Sequence, residues 1–237
     1  MVTLRLRKHD IMTFSIAGGC ERTGQFGVAL ATSSIGAGGR CAHLRPGIGA
    51  FLTQARTDPS LGPVGLDLIA AGRSASEAVA AVAASTEHRS WRQIAALTPN
   101  GDSAFWTGED VAPPADGLVL TDAVVIGNWV ASEAVIAAIG AGFETDPPAA
   151  LTDRLIQALE GGEEAGGELD PLQSTAVIVC DPLYRFPIVD LRVDCSTTPI
   201  IDLRTAWERW APIMDGYLQR ALAPAAAPTT EDLEGHR

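Results

Sequence analysis

The sequence predicts a layered α+β sandwich with mainly antiparallel sheets, and three observations support this fold class. Short apolar segments stand on either side of Gly-containing turns, which is typical of β-hairpins. Groups of these segments alternate with groups that have helical spacing, whereas a parallel sheet needs a crossover after each strand. Apolar residues make up 46% of the 237-residue chain and charged residues 19%, which is enough apolar material for a substantial core. We expect one domain over residues 12–222.

The amino-terminal part of this domain predicts a β-hairpin followed by a third strand. Residues 13–17 and 25–32 are apolar runs that flank the turn-forming segment 21–24, so they are predicted to pair. A Gly-rich loop follows at residues 35–39, and residues 47–54 are predicted to form the third strand.

Two helices come next, and the second carries a start signal. Residues 66–71 and 74–84 have helical character, and Ser74 with Glu77 makes a capping box that satisfies two amides at a helix N-terminus. The remaining predicted elements are a hairpin at 91–97 and 103–107, a strand at 122–129, helices at 132–142 and 151–159, an exposed acidic connector at 161–170, strands at 173–180 and 188–193, and a helix at 205–222.

Both chain ends are expected to lie outside the fold. Residues 1–11 have basic character but lack the apolar middle and cleavage site of a secretory signal, and we expect this extension to be disordered or removed. Residues 223–237 are rich in Ala and Pro and then polar, which predicts a disordered tail.

Composition argues against several classes of partner. A net charge of −12 disfavours nucleic acid, because phosphate binding needs clustered basic residues. No apolar run reaches the length of about 18 residues that a membrane helix needs. Four cysteines are far apart and lack zinc-ligand spacing, so no metal site is predicted: Cys20, Cys41, Cys180 and Cys195. We infer a cytoplasmic protein that uses no cofactor.

Three common catalytic patterns are weak in this sequence. The glycines at 36–39 lack the helix and acidic residue of a dinucleotide-binding motif. No Gly-x-Ser-x-Gly segment is present, and only His43 and His88 lie within the predicted fold to complete a serine triad. The carboxylates at 160–168 are predicted to be a solvated charge run.

The best candidate nucleophile is Thr13, which directly follows Met12. Loss of Met12 would give Thr13 a free α-amine, with a pKa near roughly 8, that can accept the proton of its own hydroxyl. One residue would then supply both nucleophile and base, which suits a chain with only four histidines. The alternative is that Thr13 is an ordinary β-branched strand residue.

An ordered series of motifs resembles the domain of unknown function 1028 family. The motifs are MTFSIA (12–17), TGQFGVA (23–29), GIGA with TQ (47–50 and 53–54), LGPxGLDL (61–68), AGRSA (71–75), GN (127–128), AGG (165–167), QS (173–174) and VDLRVD (189–194). The resemblance covers about residues 12–205. It implies the four-layer αββα sandwich of N-terminal-nucleophile hydrolases, with the nucleophile at the start of a central strand.

By analogy with that fold, Thr13 would attack an amide carbonyl, and Asn128 would contact the oxyanion or the substrate unless it is a simple turn residue. Thr32 and Ser33 end the second strand and Gln54 ends the third, so we expect them to line the same cleft or to be ordinary strand-end polar groups.

Asp190, Arg192 and Asp194 alternate along one face of a strand. This spacing suits a salt-bridge network, or the binding of a substrate carboxylate by Arg192.

The resulting hypothesis is a small amidohydrolase that acts on an amide, a lactam or a related C–N bond, with a small-molecule substrate and a homo-oligomeric state. A non-catalytic ligand- or protein-binding module is the alternative, for two reasons. If residues 1–11 stay attached, the amine of Thr13 is acylated and cannot act as a base. In addition, the family pattern has a basic stretch where this chain has Asp170, Pro171 and Leu172. A third possibility is an assembly subunit that uses an apolar face formed by Trp207, Trp210, Ile213 and Leu218.

Overall fold

The computed structural model describes residues 12–235, so the predicted extension at 1–11 lies outside the described residues. Within residues 12–235 there are ten strands, eight α-helices and two short 3-10 helices, the latter at Arg89–Trp91 and Pro224–Ala226. The strands are β1 (Thr13–Cys20), β2 (Gln25–Thr32), β3 (Ala42–Arg45), β4 (Gly49–Ala55), β5 (Arg92–Leu97), β6 (Ser103–Thr107), β7 (Ala115–Leu120), β8 (Ala123–Asn128), β9 (Ser174–Cys180) and β10 (Val189–Val193). The helices are α1 (Gly38–Cys41), α2 (Leu61–Ala70), α3 (Ala75–Ser85), α4 (Ala134–Glu144), α5 (Leu151–Glu164), α6 (Pro199–Trp210), α7 (Met214–Leu222) and α8 (Thr230–Glu234).

The strands form two sheets, and every pairing between them is antiparallel. One sheet has the order β10-β9-β2-β1-β8-β7 and the other has the order β3-β4-β5-β6. The structure therefore confirms a mixed α/β protein with antiparallel sheets, and it confirms the pairing of the first two predicted strands.

Four apolar clusters hold the described elements together, and the three largest connect the sheets and helices. The largest lies between the six-stranded sheet and helices α4, α5 and α6, and includes Phe14 and Leu155. The second joins the two sheets, through side chains such as Val28 and Leu52. The third lies between the four-stranded sheet and helices α2 and α3, around Phe51. Both faces of β1 are consequently buried.

Local signals predicted helix α3 well. The Ser74 hydroxyl accepts a hydrogen bond from the Glu77 peptide N–H at 3.2 Å, and the Glu77 carboxylate accepts one from the Ser74 N–H at 2.9 Å. This confirms the predicted capping box. The predicted helix at 205–222 is instead two helices, α6 and α7, which are separated at residues 211–213 where Pro212 interrupts the helical hydrogen bonding.

Two segments that were predicted to lack regular structure contain helix. Helix α5 continues to Glu164, and after it Gly166 and Gly167 adopt positive φ angles of 117° and 57°, which turn the chain inward so that Glu168 is buried. In the segment after Leu222, helix α8 is capped by Thr229.

Candidate active site

Thr13 is the first residue of β1 and is 1% exposed. Its strand lies between β2 and β8, and Thr13 is paired with Asn128, the last residue of β8. Since antiparallel neighbours run in opposite directions, the start of β1 meets the ends of both β2 and β8. The fold thus gathers several strand ends around Thr13.

Two threonine hydroxyls converge on the carbonyl oxygen of Met12. The Thr13 hydroxyl donates to this oxygen at 2.6 Å, and the Thr32 hydroxyl donates to it as well. The two hydroxyl oxygens are 3.4 Å apart. Thr32, at the end of β2, is therefore brought next to Thr13 as predicted, and together they bind the carbonyl group of the residue before the strand.

Two amide side chains hold the other side of Thr13. Its carbonyl oxygen accepts hydrogen bonds from Gln54 Nε2 at 3.1 Å and from Asn128 Nδ2 at 3.3 Å. The Ser15 hydroxyl donates to Gln54 Oε1 at 2.6 Å, so Gln54 links the two sheets at this point. The Asn128 amide group orients the start of β1 in this arrangement.

Gln93 completes this network, and the sequence analysis did not select it. Its Oε1 accepts hydrogen bonds from Gln54 at 2.7 Å and from Asn128 at 3.0 Å, and its Nε2 donates to the carbonyl oxygen of Gly127 at 2.9 Å. Gln93 on β5 is fully buried and directly opposite Gln54 on β4. The one sequence signal for this role was a glutamine side chain within an otherwise apolar strand, because a buried polar side chain needs a hydrogen-bond partner.

The backbone turns sharply directly after two of these amides. Ala55 has a φ of 67° and Trp129 a φ of 53°, a left-handed conformation that is uncommon outside glycine. Ala55 and Asn128 also line a cavity of about 10 Å³, together with Arg56, Trp91, Asp110, Val111 and Ala112. That volume suits about one water molecule.

A buried carboxyl group lies next to this cluster. Glu168 is 9% exposed, and one of its oxygens accepts a hydrogen bond from the Ser33 peptide N–H at 2.8 Å. Burial raises the pKa of Glu168 to about 8, against the lowering effect of the Ser33 hydrogen bonds and with a further increase from the negative charge of Asp170. Ser33 is therefore adjacent to the site, and Glu168 belongs to a segment predicted to be a solvated connector.

Arg192 lies apart from the cluster. It is on β10, three strands away from β1 in the sheet order, or about 14 Å by strand spacing. Its guanidinium makes a two-point ion pair with Asp190, with nitrogen–oxygen distances of 2.7 and 3.1 Å. It lines a separate cavity with His43 and Arg45.

Other candidates lie away from the Thr13 cluster. His43 is on β3, its ring contacts helix α2 at Gly62, and burial lowers the pKa of this histidine. Within residues 12–235, no group of three His, Cys, Asp or Glu side chains is arranged to hold a metal ion. Trp207 and Leu218, from the proposed assembly face, are buried in the largest apolar cluster. None of the described helices combines the length and apolarity needed to cross a membrane.

The fold and the site define a mixed α/β protein with two antiparallel sheets and a buried polar cluster at one end of the layer between them. The chain belongs to the family of unknown function DUF1028, whose sequence model matches residues 13–203. The crystal structure of protein SPO2555 from Silicibacter pomeroyi, a DUF1028 protein, is 26% identical with a TM-score of 0.82, over 95% of this chain and 98% of that one.

Two more distant structures also match. Anbu (ancestral beta-subunit) from Yersinia bercovieri is 12% identical with a TM-score of 0.38, over 91% of this chain and 99% of its own. The Gly-1 mutant of Anbu from Hyphomicrobium sp. strain MC1 is 11% identical with a TM-score of 0.41, over 92% and 100% of the two chains. No curated protein matches the sequence.

Proposed function

We propose that this protein is an amidohydrolase of the N-terminal-nucleophile type, with Thr13 as the nucleophile and a small amide, lactam or related C–N bond as its substrate. One observation carries the proposal: buried hydroxyl and amide side chains from β2, β4 and β8 contact a single threonine at the start of β1, and a buried amide from β5 holds the two amides in place. Burying four polar side chains is costly unless their hydrogen bonds are satisfied, so the cluster fixes the position of Thr13 tightly.

The packing of helices outside each sheet supports a four-layer αββα sandwich as the architecture behind this function. In such a fold the working chain begins at the nucleophile. We therefore propose that the active form of this protein begins at Thr13, after loss of Met12 and the residues before it.

In this form the α-amine of Thr13 takes the proton from the Thr13 hydroxyl as the oxygen attacks the substrate carbonyl. A bond forms between Oγ1 and the carbonyl carbon, the C–N bond breaks, and the ammonium returns its proton to the leaving nitrogen. Water then attacks the resulting ester and releases the acid. Gln54 and Asn128 hold the Thr13 carbonyl and so keep the nucleophile oriented during these steps.

Thr32 contributes a hydrogen-bond donor in this proposal. Its hydroxyl donates to the Met12 carbonyl oxygen, and this donor becomes free when Met12 is lost. A substrate oxygen that takes the place of the Met12 oxygen would accept this hydrogen bond. Thr32 thus supplies the kind of donor that stabilises developing negative charge on an oxygen.

The first test compares Thr13→Ala with Thr13→Ser in protein that begins at residue 13. A panel of small amides and lactams is assayed for release of the amine, with the fold checked by circular dichroism. We expect Thr13→Ala to lose turnover by about a thousandfold or more, because no other residue supplies the attacking oxygen, and Thr13→Ser to keep a measurable part of it.

Thr205→Ala, which removes an exposed hydroxyl from α6, is the matched control and should leave turnover unchanged. Full activity in Thr13→Ala would rule out the mechanism. So would an active preparation in which intact-mass measurement finds residues before Thr13 on every chain.

A non-catalytic binding module is the second candidate, and one observation favours it. Met12 is 4% exposed, its peptide bond blocks the Thr13 nitrogen, and the cavity beside Asn128 is only about 10 Å³. If this module is the function, ligands that raise the melting temperature should do so equally with Thr13→Ala, and no amide should be consumed.

A further inference from the structure

Glu168 carries a carboxyl oxygen that the mechanism above does not use. One oxygen accepts from the Ser33 N–H, while Oε1 is buried and has no hydrogen-bond partner among residues 12–235. A buried carboxyl oxygen without a partner is costly, so it needs an explanation. The backbone of Glu168 is fixed as well, since it forms an antiparallel bridge with Val130, two residues after Asn128.

Residues that follow the ends of β2 and β8 hold this carboxyl group near the start of β1. Thr32, the last residue of β2, donates its hydroxyl to the Met12 carbonyl oxygen, and Asn128, the last residue of β8, is paired with Thr13. Ser33 binds the Glu168 carboxylate, and Trp129 precedes the residue that bridges to Glu168.

The packing of Phe14 gives the same location. A Cβ on Gly167, the residue before Glu168, would lie 4.0 Å from the ring of Phe14, the second residue of β1. The Gly167 and Glu168 segment therefore borders the start of β1, where the Thr13 nitrogen lies.

Among the described residues, the surroundings of Glu168 supply no positive charge. It forms no ion pair with any of them, and the one charge that contributes to its raised pKa is the carboxylate of Asp170 in the same segment. Ser33, from the end of β2, and Val130, after β8, are uncharged neighbours. Adding a positive charge at the place of Met12 would favour the ionised form of Glu168.

We propose that Glu168 is a positioning residue whose carboxylate is the counter-charge of the Thr13 α-ammonium once Met12 has been lost. This inference rests on the proposed function, since it needs the chain that begins at Thr13. When the amine takes the hydroxyl proton, it becomes a buried ammonium, and the nearby carboxylate stabilises that charge. Glu168 would act on the base rather than on the substrate, much as an acid orients and stabilises a catalytic histidine.

The test titrates the α-amine directly and needs no substrate. Protein beginning at Thr13 is made by cutting a fusion directly before that residue, and the pH dependence of trace acetylation by acetic anhydride is read on the N-terminal peptide by mass spectrometry. Because a carboxylate raises the pKa of a neighbouring amine, Glu168→Gln should move the midpoint of labelling to lower pH by about 1 unit or more.

Glu164→Gln, at the exposed end of α5, is the matched control and should leave the midpoint in place. If Glu168→Gln does not fold, Glu168→Asp replaces it, and the shorter side chain should give a smaller shift in the same direction. An unchanged midpoint in a folded Glu168 variant overturns the inference, and so does a chain that cannot fold from Thr13. Failure of hydrolysis itself is detected separately, by the Thr13→Ala comparison.

Discussion

Thr13, Gln54, Gln93 and Asn128 are four buried polar side chains at the end of an apolar layer between two sheets. Their hydrogen bonds form a connected network in which Gln93 Oε1 accepts from both other amides and those amides hold the Thr13 carbonyl. An apolar side chain at Gln93 would leave buried N–H groups of Gln54 and Asn128 without their acceptor, at a cost of about 1–3 kcal/mol. The cluster therefore fixes the position of Thr13, although it places polar side chains in an otherwise apolar layer.

The raised pKa of Glu168 predicts how the stability of the full chain depends on pH. Its folded pKa of about 8 is above the ordinary value of 4.5, so the folded state binds a proton that the unfolded state releases between these pH values. The stability that this proton provides is complete below pH 4.5 and is lost as pH rises toward 8. Glu168→Gln, which never ionises, should lose less stability over this range, by up to about 1.4 kcal/mol per pH unit.

Urea unfolding at pH 5, 6, 7 and 8 measures this effect as the difference in free energy of unfolding between the two proteins. Glu164→Gln serves as the control, because that carboxylate is exposed. Parallel pH dependence in wild type and Glu168→Gln would mean that Glu168 is ionised in the folded chain at neutral pH.

At the scale of elements, local signals identified the strands and helices that carry their own start and stop residues. The turn after β1 and the capping box of α3 are examples, and the bounds of β6 were predicted to the residue. Strands β3 and β7 were not predicted, because their residues are only partly buried and mix polar with apolar side chains. These segments form strands because they pair with β4 and β8, and residue propensities do not reveal such pairing.

The site was predictable in part for the same reason. Thr13, Thr32 and Gln54 are at strand ends, where a hairpin pattern already brings the chain together. Glu168 was not predictable from its acidic neighbours, since its burial depends on two glycines with positive φ that turn the chain back after α5. The composition of an acidic segment therefore predicts solvent exposure only where the backbone does not turn the segment into the protein.

The close approach of β2 and β9 predicts that a side chain at Gly27 destabilises the protein. A Cβ on Gly27 would lie 2.5 Å from the Ile178 carbonyl oxygen and 2.9 Å from Val179, which is closer than real contacts allow. Gly27→Ala should therefore lower the free energy of unfolding by about 1–3 kcal/mol. Gly19→Ala in β1 is the matched control, as its Cβ would meet nothing closer than 3.5 Å. Equal urea midpoints for the two variants would contradict this packing.

At the scale of the whole molecule, the apolar cluster between the sheets joins two parts that differ in their other contacts. The six-stranded sheet packs against α4, α5 and α6 on its outer face, and the four-stranded sheet packs against α2 and α3. The Thr13 cluster draws residues from both sheets, since Gln54 and Gln93 come from one and Asn128 from the other. Site geometry consequently depends on the contact between the sheets.

This dependence predicts that both sheets unfold together. Trp106 reports on the four-stranded sheet and Trp207 on the helices of the six-stranded sheet. Urea unfolding is followed by circular dichroism and by fluorescence in two variants, one that keeps only Trp106 and one that keeps only Trp207, with the other four tryptophans replaced by Phe. Both variants should give one transition, with probes that agree within each variant. Ile126→Ala, in the cluster between the sheets, should lower the free energy of unfolding by about 2–5 kcal/mol and move every probe together. Separate transitions for the two tryptophan reporters would show that the sheets are independent, and the site would then open without global unfolding.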